Sequence, residues 1–508
     1  MQVKKITIGQ NVNMRGQFFI TEDFGEIENF ERVLLRNGFA FYSNNVNYVH
    51  NEYVDILLVG YAWQTINDQP SPAEMVKNIS TEEEKYNILK SEPDWFGRYV
   101  LIIDGTIYTD AAALMSVYYS KLYISSSAAF IGATKEGIKQ FYSEPGRIMN
   151  WMPGPMTHYE GVYRLLPSQK LSVYTRKVSK REFYKNEKKE EKIAIEEIVS
   201  RCQTGIKNMA QTFSNSHIAI PLTGGYDSRS VFALSKSAGI EFSAFTLEHE
   251  RMQTGDINIP SRLCETEGVQ YDYVKRDEKK FRRELQEEYM SAISGMIHDE
   301  DANFYAYQQW NPLTEKYGEM VLIRGSVWGI ATDVYDRVFE NDAPSFDFYD
   351  WFGIKKDSIE YESLQRYFKW VKKTPVDGLP LNNRFFWEQR QAAWLSVIES
   401  GFDLLQNIKS FHIANCRNTI SLLMTLPEEK RLLKTYHIDI IRKTCPELED
   451  IPYATKEIYG ENRFKTALQK IKRAIARIKK FGIKETFLTY KSILTHKKKI
   501  RKLKSGVS

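Results

Sequence analysis

Apolar and polar positions alternate over short runs through the first 190 residues, and then the period changes. Val54–Gly60 and Tyr99–Gly105 are apolar runs of strand length, the second closing on Asp104-Gly105, a dipeptide suited to a tight turn into Thr106–Asp110. Val117–Tyr119 and Lys121–Ser125 supply shorter strand-like pieces. This spacing, with Gly, Asp and Asn at the corners, predicts antiparallel sheets packed face to face. After the charged stretch Lys185–Lys192, a helical period sets in: Ala194–Phe213 puts Ile195, Ile198, Val199, Cys202, Ile206 and Met209 on one side. Ile218–Leu222 then has the length and composition of a buried parallel strand, and Ser228–Ser235 follows as a helix with Val231, Phe232 and Leu234 turned inward. A strand at Glu241–Leu247, a helix near Ile257–Glu267 and a strand at Val269–Val274 continue the alternation. Strands alternating with helices predict a doubly wound parallel α/β sheet. Met320–Gly329 adds a further strand and its loop, and the chain beyond reads as added helices, with Trp394, Leu395, Val397 and Ile398 striping Trp387–Leu405. Three units result: 1–190, 194–458 and a helical tail, 459–508.

Composition narrows the class. The 508 residues are 42% hydrophobic and 27% charged, values of a globular chain with enough material for several cores. No run of about twenty apolar residues occurs, and Met1–Ile20 lacks a signal-peptide core, so a cytoplasmic protein is expected. Cys202, Cys264, Cys416 and Cys445 are widely separated, without CxxC or Cys/His ligand spacing, and are expected as buried or free thiols. The net charge of +5 is concentrated at one end. From Asn462 onward, about sixteen lysines and arginines face the single acid Glu485, while Leu468, Ile471, Ile475 and Ile478 recur at helical spacing. A basic amphipathic helix over 463–504 suits an anionic membrane surface, at the inner face of a membrane, or an acidic partner. It carries no aromatic stacking platform, which ranks nucleic acid below both.

The chemistry centres on Leu222-Thr223-Gly224-Gly225-Tyr226-Asp227-Ser228. A strand, a Gly-Gly turn and a helix N-terminus direct backbone N–H groups and the positive end of the helix dipole toward an anion. Glycine allows close approach and left-handed backbone, Thr223 and Ser228 add hydroxyls, and Asp227 adds a carboxylate able to hold Mg²⁺. The turn is neither a Walker A loop nor a GxGxxG fingerprint.

TGGYDS resembles the SGGxDS pyrophosphate loop of the ATP pyrophosphatase (PP-loop) superfamily, with Thr for the first Ser. Phe96-Gly97-Arg98-Tyr99-Val100 with Thr109-Asp110 resembles the GRF…RD stretch of asparagine synthetases, and Glu160–Pro167 leading to Phe183-Tyr184 is similar to the exit from the same domain. The order of these motifs over residues 50–458 resembles the asparagine synthetase-like family. That resemblance implies an N-terminal Ntn-hydrolase-like (glutaminase-like) domain and a C-terminal synthetase domain. It implies ATP and Mg²⁺ at Leu222, Thr223, Gly224, Gly225, Asp227 and Ser228, adenine near Thr246, and phosphate or AMP near Arg324 and Gly325. It also implies a catalytic lysine, Lys456, in Ile451–Lys456. Two departures stand out. Where the family carries acidic residues after the fourth strand, this chain has Ser326 and Gly329, with Asp333 and Asp336 a turn later. Glutaminase members use a cysteine directly after the initiator Met, whereas this chain begins Met1-Gln2 and has no cysteine before Cys202. An amide side chain cannot attack an amide, so glutaminase activity is not expected.

The resemblance implies an enzyme that splits ATP to AMP and pyrophosphate, activates a carboxylate as an acyl-adenylate and joins it to an amine or ammonia. The carboxylate would belong to a small molecule, a peptide or a glycan. The alternative is a nucleotide-binding scaffold that has lost its chemistry. Arg390 and Arg417 are candidate contacts on helices that would close over such a site.

Overall fold

The computed structural model describes residues 15–134, 151–182, 188–248, 252, 254–275, 311–332, 334–335, 338–340, 342–345, 347–404 and 408–454. Within them the N-terminal part forms two six-stranded antiparallel sheets. Tyr163–Arg164, Tyr118–Tyr119, Ile124–Ser125, Gln17–Glu22, Phe39–Asn44 and Glu31–Leu34 lie side by side in one. Val178–Lys180, Gln169–Ser172, Thr106–Thr109, Trp95–Ile103, Ile56–Gln64 and Tyr48–Asn51 form the other. Their inner faces meet as expected: Phe18, Ile20 and Phe41 of the first pack with Leu57, Val59, Val100, Ile102 and Leu171 of the second. Asp104 and Gly105 both take left-handed backbone, φ 48° and 66°, in the tight turn that sends Trp95–Ile103 back as Thr106–Thr109.

Two helices absent from the sequence reading, Pro72–Asn78 and Glu82–Ser91, cover the outer face of the second sheet. Each begins at a reciprocal capping box, Ser71 with Glu74 and Thr81 with Glu84. They anchor through only a few buried groups, among them Val76 and Ile88, which is too sparse a stripe to register as a period.

The second half is built on a parallel sheet with strand order Tyr271–Val274, Ser243–Leu247, His217–Pro221, Met320–Arg324 and Ile408–His412. The first four were anticipated. The fifth corrects the helical reading of the C-terminal stretch. Ile408-Lys409-Ser410-Phe411-His412 has no intrinsic strand run, and its conformation follows from pairing residue for residue with Met320–Arg324. The predicted single helix Trp387–Leu405 is likewise divided. Leu381–Phe385 is α-helical, residues 386–395 form wider π-type turns, and Ser396–Leu404 returns to α.

The helix Glu191–Thr212 starts where the charged stretch ends, and its buried face carries the six predicted residues. It packs into an apolar cluster that draws on both halves of the chain, with Trp63 and Phe96 from the antiparallel sheets and Phe411 and Ile413 from the parallel one. The Trp63 and Phe411 rings meet edge-on at 4.8 Å. A polar knot closes the same seam. The buried Asn415 amide donates to the Gly97 carbonyl at 2.6 Å and to Asp110 Oδ1 at 2.9 Å, and its oxygen accepts from the Ala112 N–H at 2.8 Å. Asp110 also accepts from the N–H groups of Leu114 and Met115, fixing the turn that follows it. The basic tail 459–508 lies outside the described residues.

Asn415→Ala would remove three buried hydrogen bonds together, although Asp110 keeps the N–H groups of Tyr99, Ala112, Leu114 and Met115. The expected loss is about 2–4 kcal/mol of stability, read as a lower urea midpoint at unchanged slope.

Candidate functional site

The anion-type loop leaves the end of His217–Pro221 and enters the helix Tyr226–Ser237 at Gly225. From this strand the chain runs first to Ser243–Leu247 on one side and later to Met320–Arg324 on the other. The loop therefore sits at the topological switch point of the sheet, at the carboxyl ends of its strands. No side chain caps the helix start. The loop is tied internally: Thr223 N–H donates to Ser228 Oγ at 3.1 Å, the two hydroxyls are 3.0 Å apart, and Gly225 N–H donates to Thr223 Oγ1 at 3.3 Å. The Leu222 carbonyl accepts from the Thr246 hydroxyl at 2.7 Å, and Tyr271 Oη donates to that hydroxyl at 2.8 Å.

The glycines serve close approach, not left-handed backbone. Gly225 has φ −84°. A Cβ on Gly224 would lie 2.5 Å from Ala454 Cβ and 2.9 Å from the Gly255 carbonyl. A Cβ on Gly325 would lie 2.9 Å from the Asp227 carbonyl, so Gly325 lets the neighbouring strand end abut the loop helix.

Asp227 is the charged centre. Lys434 Nζ lies 3.3 Å from its Oδ1 and His437 Nε2 lies 3.1 Å away, while His437 Nδ1 shares a 2.7 Å hydrogen bond with Ser230 Oγ. Burial works to raise the Asp227 pKa, but the hydrogen bond and charge of His437 and then Lys434 carry it down to about 2. His437 is fully buried, and burial holds its own pKa below the ordinary value. The lasting positive charge beside Asp227 is therefore the Lys434 ammonium. Lys434 takes left-handed backbone, φ 60°, at the break between Glu428–Leu433 and Tyr436–Thr444. A bulky residue there is uncommon, and the break is what aims its side chain at the loop.

A second carboxylate touches the loop. Asp256, in the first turn of Thr254–Glu267, accepts from the Gly224 N–H at 3.0 Å. On the other side the Ala454 N–H donates to the Gly224 carbonyl at 2.9 Å. The segment leading to Ala454 is clamped from the loop helix: Arg229 donates to the carbonyls of Ile451 and Pro452 at 2.6 and 2.7 Å. The Tyr453 ring lies 3.8 Å from the Arg229 guanidinium and stacks on Tyr226 at 4.1 Å.

Among the anticipated residues, Leu222, Thr223, Gly224, Gly225, Asp227, Ser228 and Gly325 converge here. Thr246 abuts the loop, but its hydroxyl is spent within the sheet. Arg324 points to another partner, the fully buried Glu399, which also lies 3.0 Å from His412 Nε2. Burial would raise the Glu399 pKa, yet Arg324, His412 and Arg98 hold it at about 2. The turn Ser326–Ala331 brings no carboxylate to the loop, and Gly329 is packed against the Phe386 ring. Arg390 stacks on Trp394 at 3.3 Å, and Arg417 is buried with the Pro167 carbonyl and Glu92. Arg417 thus joins its helix to the N-terminal half, and Arg390 packs among Trp151 and Trp394; neither reaches the loop. Lys456, Asp333 and Asp336 lie outside the described residues. Lys434, His437, Asp256 and Arg229 are not among the residues to which the sequence pattern points. Asp256 carried a faint signal as an acid at a helix start, while Lys434 and His437 carried none, being some two hundred residues away along the chain.

No protein-family model and no curated protein matches this sequence. Among solved structures, the chain is similar to the NMN synthetase from Francisella tularensis at 15% identity, over 39% of this chain and 93% of that one, with TM-score 0.21. It is similar to the NH3-dependent NAD synthetase from Campylobacter jejuni at 13% identity, over 40% and 96%, with TM-score 0.22. The U34-tRNA thiolase from Methanococcus maripaludis matches at 14% identity, over 53% and 84%, with TM-score 0.21. Superposition at those scores is poor, and no activity is carried over from these proteins.

Glu399 supplies a pH test of the pair that holds Arg324. Its folded pKa lies below the unfolded value near 4.3, so its stabilisation is complete above that value and drains away as pH falls toward 2. Glu399→Gln is expected to cost about 3 kcal/mol at pH 7. The gap to the native chain should narrow between about pH 4 and pH 2 in paired urea titrations.

Proposed function

We propose that the chain is an ATP-dependent synthetase that forms AMP and pyrophosphate, activating a carboxylate as an acyl-adenylate and passing it to an amine or ammonia. The carrying observation is the Thr223–Ser228 loop at the switch point of the parallel sheet, with Asp227 and the Lys434 ammonium on its rim. The donor set suits phosphate: loop amides, two hydroxyls, an uncapped helix start and one cation. Asp227 would hold Mg²⁺, exchanging its contact with Lys434 for the metal. Mg²⁺, when bound, neutralises phosphate charge and orients the leaving pyrophosphate. Freed from Asp227, the Lys434 ammonium is free to bind phosphate oxygens, and a lysine on the rim stabilises charge that develops during adenylation. Lys456 remains the proposed second cation, and Thr246 and Arg324 remain proposed only as neighbours of the nucleotide. The antiparallel half is proposed as a glutaminase-like scaffold without its nucleophile, so nitrogen would arrive as free ammonia or as a substrate amine. The basic tail is proposed to dock on an anionic membrane or an acidic partner.

One observation favours the alternative, a nucleotide-binding scaffold without chemistry. Asp256 and Ala454 occupy both the donor and the acceptor of Gly224, and Ser326 and Gly329 supply no metal ligand. Pyrophosphate release separates the two readings. With ATP, Mg²⁺ and pools of carboxylates and amines, the native chain should release pyrophosphate and Asp227→Ala should not. Lys434→Ala should lower kcat/KM by about 10²–10³-fold. Pyrophosphate absent across the pools with ATP still bound by calorimetry would favour the scaffold, and no ATP binding at all would sink both readings.

A further inference from the structure

Far along the helix that starts with Asp256, a different set of side chains converges. Thr254–Glu267 ends at Glu267, and Tyr436–Thr444 ends just before Cys445, which a short turn, Pro446–Leu448, carries on to Glu447. One carboxylate oxygen of Glu267, one of Glu447 and the Cys445 sulfur all lie within 4.8 Å of one another. Two further observations bear on a cation here, at a site that is empty. Glu267 Oε1 is buried without a hydrogen-bond partner. Cys445 is 2% exposed, and the hydrogen bond its sulfur makes is a weak one, to the Ala233 carbonyl at 3.5 Å. Two carboxylates this close repel unless they share a proton or a cation sits between them, and here burial and the hydrogen bond to Glu447 raise the Glu267 pKa to about 7, so a cation entering the site competes with that proton. The setting also favours positive charge, because two helices present their carbonyl ends here.

We propose that Glu267, Cys445 and Glu447 form a zinc site. A thiolate with two carboxylates suits Zn²⁺, whereas Mg²⁺ and Ca²⁺ take oxygen ligands alone. Tetrahedral zinc, with about 2.3 Å to sulfur and about 2.1 Å to oxygen, sets its ligand atoms about 3.5 Å apart. The three atoms would need to close by up to about 1.3 Å, which a rotamer change of the exposed Glu447 can supply. Binding releases the thiol proton to solvent, and water takes the fourth position. Charge also closes: three anionic ligands are balanced by Zn²⁺ and by Lys236, whose ammonium donates to the Glu267 carbonyl at 2.6 Å. The metal would tie together two elements that touch Gly224, the helix bearing Asp256 and the segment running from Cys445 to Ala454. This site does not depend on the reaction proposed above.

The test uses the full chain, stripped with chelator and titrated with Zn²⁺ and, separately, Cd²⁺. One Cd²⁺ per chain should bring the ultraviolet charge-transfer band of a cadmium–thiolate bond, and Zn²⁺ should raise Tm by mass action. The band should vanish in Cys445→Ser and persist in Cys202→Ser. Glu447 is exposed, so Glu447→Gln leaves folding intact, and it should weaken Zn²⁺ binding by about tenfold or more. No cadmium–thiolate band, a band that survives Cys445→Ser, or unchanged Zn²⁺ affinity in Glu447→Gln would each overturn the assignment.

Discussion

The seam between the two sheet systems depends on one buried amide. Asn415 hydrogen-bonds Gly97, Asp110 and Ala112 from the far side of the chain, and none of these groups has access to water. Asp110 is already held by the backbone N–H groups around it, so the Asn415 amide adds three directional bonds across the seam, and a buried polar group left short of a partner costs more than the bond itself returns. The aromatic contacts of Trp63, Phe96, Phe213 and Phe411 add area to the seam but little direction.

At that edge the governing fact is charge balance around Asp227. A partly buried carboxylate with a pKa near 2 stays ionised at any physiological pH, so its negative charge is always matched by Lys434. The same balance allows exchange, because an ammonium held by a single contact at 3.3 Å is easily moved by a divalent ion. Arg324 is the opposite case. Its partner Glu399 is fully buried and shared with His412, so separating them would leave a bare charge in the interior.

Gly224 shows how a loop can be shaped for an anion and yet be covered. Its N–H meets a carboxylate, its carbonyl meets Ala454, and its bare Cα lets Ala454 approach. Asp256 supplies to the loop amide the negative oxygen that a phosphate would supply. Arg229 and Tyr226 hold the covering segment by backbone carbonyls and by Tyr453, contacts that any sequence of similar shape at 451–452 could make.

Local patterns were enough to specify the strand–loop–helix at Ile218–Ser235, the alternation that follows it, the layered sheets before residue 190 and the Asp104-Gly105 turn. In each, the information is carried by neighbours in sequence: a period of two, a period of 3.6, or a dipeptide with left-handed preference. The cysteines also followed expectation, all four being free and buried. What required the folded chain were features set by distant partners. Ile408–His412 is a strand because Met320–Arg324 offers it an edge, and Arg324 faces Glu399 because helix and strand bring them together after seventy-odd intervening residues. Lys434 reaches Asp227 through a left-handed break that no residue type announces. Side chains separated by two hundred positions meet only when the sheet order is set, and sheet order is a property of the whole packing, not of any window along the chain.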